Sequence, residues 1–371
     1  QVIDSEEFVG PFPSWNNLKT HYNARGDGIA DDTIPLQRAL NDLASPSAQV
    51  RQSNVLYIPS GTYKITRTLS LKQKINISIF GEDPATTTIR WEGTPSGMML
   101  HADGIHTSSF GRLTWEGNGV NTIIGHLWNN LGEYVSTTIH HQDEVFKNAN
   151  WCMQIGGEIG QNDDTFLIRR SKFINCASGG VVGNHMNVLN NFIWDSVFEN
   201  NGTAIFNGAG QFHAYRNFFR GSRVADMTLG PCFINTIRDN VSEDSEAFVV
   251  DDCGSWVTIQ GNIILNPKNS RPINSSGSVD LLDNIIKNRI GQVGPAVRAG
   301  QLLSVGNTFT VSSPIDAVWP VASIDNQVVP PESVNPTIPP MAQTPTNRGR
   351  QIFEIPAGAS AQAIQTIINQ A

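Results

Sequence analysis

The chain has 371 residues, a formal net charge of −8 and only 16% charged residues, with 33 glycines. The negative balance without a basic block argues against a nucleic-acid partner, because phosphate neutralisation needs clustered Lys and Arg. No stretch is long and apolar enough to span a bilayer as a helix, and abundant turn formers favour many short strands over long amphipathic helices.

The first residues are irregular. Asp32 or Thr33 can N-cap a helix running to about Leu43, with Ile34, Leu36, Leu40 and Leu43 as its apolar contacts. This predicts an N-terminal cap over residues 1–45. Residues 46–325 then read as coils. NVLYIPSGTYKI, INISIFGE, TTIRWEG and MMLHADG are irregular ones, and seven later segments share one pattern: FLIRRSKF, FIWDSVF, FHAYRNFF, NTIRDNVS, VTIQGNII, DLLDNII and LLSVGNTF. Their alignment puts Ser171, Ser196, Asn217, Asn240, Asn262, Asn284 and Asn307 in one column at steps of 21 to 25 residues. Three residues earlier lie Ile168, Ile193, Ala214, Ile237, Ile259, Leu281 and Ser304, an inward column. The pattern predicts an all-β chain, a right-handed parallel β-helix of about 10–12 coils whose stacking buries a core no single coil could bury, with stacked amides bonding from coil to coil.

A second strand follows each Asn turn: CMQIGG, GVVGN, AIFNG, MTLGP and FVVDD, with Ile155, Val182, Phe206, Leu229 and Val250 expected inward. After the coils, residues 326–350 are Pro-rich and read as a linker or strap. Residues 351–371 hold a strand, a turn and a short amphipathic helix, either a plug for the C-terminal end or the start of a second β-helix. Of the four cysteines, Cys232 and Cys253 fall at the same aligned loop position, so a bridge or two stacked thiols is expected there. The chain begins at Gln1 rather than Met, the form expected of a secreted protein after removal of a signal peptide and equally of a chain trimmed in another way.

NARGDGIADDTIPLQRAL followed by NVLYIPSGTYKI resembles the N-terminal cap and first coil of the pectate-lyase-like superfamily. The resemblance covers roughly residues 15 to 310 with the coils included. It implies a polysaccharide lyase, a glycoside hydrolase or a phage tailspike depolymerase. Gly26, Asp27, Gly28, Asp31, Asp32 and Thr33 would then shape the cap and take no part in chemistry.

Three outward surfaces compete for function. The column Arg170, Asp195, Arg216, Asp239, Gly261 and Asp283 alternates in sign over its first four members and reads as a structural ion-pair ladder. The ladder strand presents Arg169, Trp194, Tyr215 and Arg238, flanked by Phe192 and His213; aromatic faces stack on sugar rings, and Arg binds carboxylates bidentately. The strand after the Asn turn and its loop bring Glu158 beside His185, with Asn207, Asp251 and Asp252 further along and Asp226 and Glu246 at the entrance; His101, Asp103 and His126 fall on the same side.

Glycoside hydrolysis needs two carboxyl groups about 5–10 Å apart, and pairings of Asp226 with Asp251, Asp252 or Glu246 are expected to supply them. Asp251-Asp252-Cys253 resembles an Asp-Asp-Cys triplet of polygalacturonase-type relatives, although it sits several residues later in its coil. A lyase needs instead a base for the proton α to a uronate carboxylate and a cation to neutralise that carboxylate. His185, His126 or Tyr215 would be the base, and Arg169, Arg238 or a Ca²⁺ held by Asp251 and Asp252 the neutraliser. The expectation is an extracellular polysaccharide-degrading enzyme. Hydrolysis without a required cofactor is the first reading and β-elimination, with Ca²⁺, the second. A non-catalytic glycan-binding or structural domain of a larger tandem or trimeric assembly is the third.

Overall fold

A computed structural model describes residues 6–45, 54–127, 135–157, 163–230 and 233–371. The chain winds into a parallel β-solenoid of about ten turns, in which strands pair in parallel with their counterparts on adjacent coils, those of the end coils on one side only. Each regular coil has three strands. Phe212–Tyr215 belongs to a first sheet, Phe218–Arg220 to a second and Ala225–Leu229 to a third, before the chain re-enters the first sheet at Ile234–Arg238.

The expected register holds in the first sheet: Ile168 pairs with Ile193, Ile193 with Ala214, Ala214 with Ile237, Ile237 with Ile259 and Ile259 with Leu281, all inward and buried. The turn between the first and second sheets carries the amide ladder. Each buried Asn accepts a backbone N–H from the coil before. Asn217 N donates to Asn240 Oδ1 at 2.9 Å, Asn240 N to Asn262 and Asn262 N to Asn284, and the chain of bonds runs on through Asn307 to Asn326. The residue just before each ladder position is left-handed: Arg112, Asp143, Arg170, Asp195, Arg216, Asp239, Gly261, Asp283, Gly306 and Asp325 have φ between 46° and 69°. That conformation explains why Asp and Gly recur there. Where Arg occupies the column it pairs with neighbouring coils: Arg170 clamps Asp143 at 2.8 and 2.9 Å, and Arg216 binds Asp195 at 2.8 Å. The second sheet lines the core with stacked rings, Phe146, Phe173, Phe198 and Phe219, at centroid spacings of 4.9 to 5.1 Å.

The third sheet departs from expectation. Gln154, Val182, Phe206, Thr228 and Val250 share one register column, and Ile155, Gly183, Asn207, Leu229 and Asp251 share the next. Ile155 and Leu229 therefore point inward, but Val182, Phe206 and Val250 lie on the opposite face. A one-residue slip in alignment exchanges the faces of a strand, and it puts Asp251 and Asn207 inside.

The cap has two helices. In α1 (Leu18–Tyr22) Asn17 caps the N-terminus, accepting from Lys19 N and Thr20 N. α2 (Thr33–Asn41) buries Leu36 and Leu40 beside Leu43, but Ile34 is exposed, and the Asp32 carboxylate bonds Arg25 N and Gly26 N rather than its own helix. Beyond Val328 the Pro-rich segment returns along the ladder turns as a strap. It is fixed where Lys287 Nζ donates to Val334 O, where Arg112 donates to Pro345 O, and where Arg350 and Ser14 meet Glu7 and Glu354. Residues 351–356 form no strand, and α3 (Ala361–Gln370) follows a segment held against the N-terminal cap and buries no residue, so it does not plug the C-terminal end.

The disulfide joins Cys152 to Cys176, both fully buried on adjacent coils. Cys253 is free and exposed, and Cys232 lies outside the described residues.

Candidate functional site

The outward face of the first sheet is assembled by strand alternation. Phe166, Ile168, Phe212 and Ala214 fill the core, so the residues between them face out. Arg169 pairs with Trp194, Trp194 with Tyr215 and Tyr215 with Arg238. Alongside run Leu167, Phe192, His213 and Thr236. Phe192 stacks on His213 at 4.9 Å, and the His213 and Tyr215 rings lie parallel with centroids 6.3 Å apart. Arg169 is engaged, by Glu6 at 3.0 Å and Asp195 at 3.7 Å. Arg238, by contrast, is exposed and its guanidinium has no partner among the described residues. Burial lowers the basicity of His213, which is therefore neutral at neutral pH, and its Nδ1 has no hydrogen-bond partner among the described residues.

The acids of the third surface do not come together. Asp226 is fully buried: its carboxylate takes hydrogen bonds from the Ser242 and Ser245 hydroxyls, and burial pushes its pKa up to about 7. It occupies the space left where Ser242, not a fifth ring, follows Phe219 in the second sheet. Asp251 is also fully buried, and its oxygens are occupied by Cys253 N, Ser255 N and the Ser275 hydroxyl, making it a turn-forming cap. Of the remaining acids expected here, Glu246 is half-buried on the irregular segment before the strand Val249–Asp251 and Asp252 is exposed just after it. With its oxygens already bonded, Asp251 does not fit a Ca²⁺ site shared with Asp252; among the described residues no three His, Cys, Asp or Glu side chains converge as ligands. His185 is half-buried on the loop into the first sheet, and Glu158 lies outside the described residues.

His126 is inside the solenoid, at a place no substrate reaches. Its Nε2 is 2.9 Å from His141 Nε2, His141 Nδ1 is 2.6 Å from Glu144, and Trp115 Nε1 donates to the other Glu144 oxygen. All four are buried. Burial drives both imidazoles down, His141 to about 3, and Glu144 up to about 8. The result is an uncharged polar slice through the core. A second buried acid, Asp163, is raised to about 8 by burial, with Asp103 nearby adding repulsion; His101 lies 3.6 Å from Asp103. Nothing in the sequence around Asp163 distinguishes it from a turn acid.

A further feature of the first-sheet face was not foreseen. At the start of its strands Ile234 pairs with Trp256, both more than half exposed.

Residues 15–254 match the family described as rhamnogalacturonase A/epimerase, pectate lyase-like. Mannuronan C5-epimerase AlgE5 of Azotobacter vinelandii is 25% identical over 272 residues, covering 70% of this chain and 22% of that protein. The chain thus spans about a fifth of that relative's length. Among solved structures, the Agl-KA catalytic domain superposes over 87% of this chain and 66% of its own, with a TM-score of 0.63 at 14% identity. The GH87 alpha-1,3-glucanase of Streptomyces thermodiastaticus reaches 0.55 at 12% identity, over 86% of this chain and 70% of its own. The Streptococcus pneumoniae surface adhesin PfbA also reaches 0.55, at 15% identity, over 85% and 97%. At these identities the structural likenesses establish the fold.

Proposed function

Because this chain belongs to the rhamnogalacturonase A/epimerase, pectate lyase-like family, we propose that it is an extracellular polysaccharide-modifying enzyme that moves a proton at C5 of a uronate residue. The supporting observation is the juxtaposition on the first-sheet face of His213, Tyr215 and an Arg238 that has no partner among the described residues. Tyr215 and Arg238 stand on adjacent coils, about 4.8 Å apart in the stacking direction. The guanidinium binds the uronate carboxylate and stabilises the charge that develops there. Neutral His213 takes the C5 proton, and the electron pair of the broken C–H bond passes into the carboxylate as an enediolate. Tyr215 then delivers a proton. Delivery to the opposite face of C5 inverts that centre; delivery to the departing O4, as the C4–O4 bond breaks, gives elimination. Trp194 holds a flanking ring by stacking.

Hydrolysis has less support, because Asp226 and Asp251, on which the expected carboxyl pairs depend, are fully buried with their oxygens already bonded. Action outside the cell accords with the buried Cys152–Cys176 bridge.

The test is incubation in D₂O with polymannuronate and with polygalacturonate, following deuterium at C5 by NMR and unsaturated products by ultraviolet absorbance. Tyr215→Phe and Arg238→Ala should each lower kcat/KM at least about 100-fold, the span of one general acid or base. Wild-type release of reducing ends with neither deuterium uptake nor unsaturation would establish hydrolysis and refute this reading.

A further inference from the structure

Upstream of Tyr215 and Arg238 on the same sheet, the strands open into a cleft. Gln211, Phe233, Ile234, Gly254 and Trp256 line a hollow of about 440 Å³, within the range of about 300–1,000 Å³ typical of small-molecule sites. An adjoining hollow of about 240 Å³ continues over Thr258, Ser278 and Asp280. Trp256 is 63% exposed and Ile234 53% exposed. The core does not use either side chain. The solenoid would be as well packed with Thr or Ser there, as Ser278 shows one coil later in the same column. A large indole laid open beside an apolar side chain is a surface with a use.

The groups around it are polar and unspent. Asp280 is exposed, and its carboxylate has no partner among the described residues. It lies two residues along from Ser278, the register partner of Trp256, and both face outward. The cleft therefore offers a flat aromatic floor with a hydrogen-bond-accepting carboxylate and a hydroxyl at its side. A pyranose ring presents the complement, an apolar C–H face with hydroxyl donors around its rim. A carboxylate at this position repels a uronate and favours a neutral sugar, whose vicinal hydroxyls it can accept from.

We propose that the Trp256–Asp280 cleft is a subsite for a neutral sugar residue of the glycan. It rests on the reading of the first-sheet face as the glycan groove. Trp256 is four residues upstream of Gln260, which pairs with Arg238, and two upstream of Thr258, which shares the column of Thr236 and His213, so the cleft lies about 13 Å along the strand direction from Arg238 and about 7 Å from His213, within reach of neighbouring sugar units of one chain. The substrate is then a polymer carrying neutral sugars near its uronates, and the cleft selects it over a pure polyuronate.

Calorimetric titration of the whole chain tests this. Mannohexaose, cellohexaose, maltohexaose and xylohexaose serve as neutral probes, and hexamannuronate and hexagalacturonate as acidic ones. At least one neutral probe should bind. Trp256→Ala should weaken it tenfold or more, and Trp256→Phe should stay within about threefold of wild type because it keeps an aromatic floor. Asp280→Asn should weaken neutral binding and strengthen acidic binding. Trp256 is mostly solvent-exposed, so neither variant endangers folding. The inference is overturned if no neutral probe binds, if Trp256→Ala leaves every neutral affinity unchanged, or if it weakens only the acidic probes. The proton-transfer reading stands or falls separately, on the deuterium uptake of Tyr215→Phe and Arg238→Ala. Trp256-dependent neutral binding without uptake in wild type would remove that reading and leave this subsite in place.

Discussion

Replacing Asn240 by Ala should be among the most damaging single changes outside the aromatic core, and Asn240→Ser should be much milder. Asn240 is completely buried. Its Oδ1 accepts from Asn217 N at 2.9 Å and Asn217 Nδ2 at 3.0 Å; its Nδ2 donates to Ala214 O and to Asn262 Oδ1, each at 3.0 Å. Truncation leaves the Asn217 N–H buried without a partner, at about 1–3 kcal/mol, and removes three further bonds whose other ends keep one partner each. The sum is about 3–5 kcal/mol. A serine hydroxyl can still accept the orphaned N–H, as Ser196 Oγ does for Ser171 N at 3.1 Å, so the loss for Asn240→Ser should be about half or less. Guanidinium unfolding followed by circular dichroism measures both variants, and hydrogen exchange at the Asn217 amide localises the effect. That amide should exchange faster in Asn240→Ala and stay protected in Asn240→Ser. Equal destabilisation by Ala and Ser, or less than about 1 kcal/mol for Ala, would mean that coil stacking alone carries the turn.

Three other outcomes follow from the interior. Asp226 has a folded pKa of about 7 against an ordinary 3.8, so the native chain keeps a proton that the unfolded chain has released; this group makes stability fall as pH rises from about 4 to about 7. Asp226→Asn should flatten that slope in unfolding midpoints measured across the interval, and an unchanged slope would show that the carboxyl is ionised inside. Cys152→Ala with Cys176→Ala removes a bridge between residues 24 apart and should cost about 3 kcal/mol, whereas Cys253→Ser should shift the unfolding midpoint by less than about 0.5 kcal/mol. Arg170→Ala strips a buried Asp143 of its bidentate partner and should cost about 3–5 kcal/mol; a loss that high salt reproduces in the wild type would instead mark the pair as a surface interaction.

How much of this was legible in the sequence depended on whether a position tolerates one residue type or several. The ladder turn admits little besides Asn and Ser, because the side chain must reach a backbone N–H one coil away, and that narrowness exposed the register from Ser171 to Asn307. The third sheet had no such marker. Val182 and Phe206 are apolar although they face outward, so hydrophobicity gave no parity, and an error of one residue carried Asp251 from the inside to a supposed active surface. Asp226 misled for a related reason. An inward carboxylate satisfied by two serines has the same letters as an exposed acid, and the only hint was the break in the phenylalanine stack at Ser242. The Cys152–Cys176 bridge escaped because its halves sit at unlike points of an irregular pair of coils, where the register shifts between Ala149 and Trp151. Trp256 gave no signal because the other members of its register column, Ile234 and Ser278, share no chemistry with it.

The strap changes the kind of object this solenoid is. In an open stack each coil touches only its neighbours, so fraying can begin at either end and travel inward one coil at a time. Here residues 345–354 are bonded to Glu7, Gly10 and Ser14 across sequence separations of about 340 residues, while Val334 is held beside Lys287 near the far end. The two ends of the stack are thereby joined by a single tie along the ladder edge. Peeling either terminal coil must first release that tie, so a linear array acquires the cooperativity of a closed ring, and its late-forming, longest-range contacts become the latch on the whole assembly.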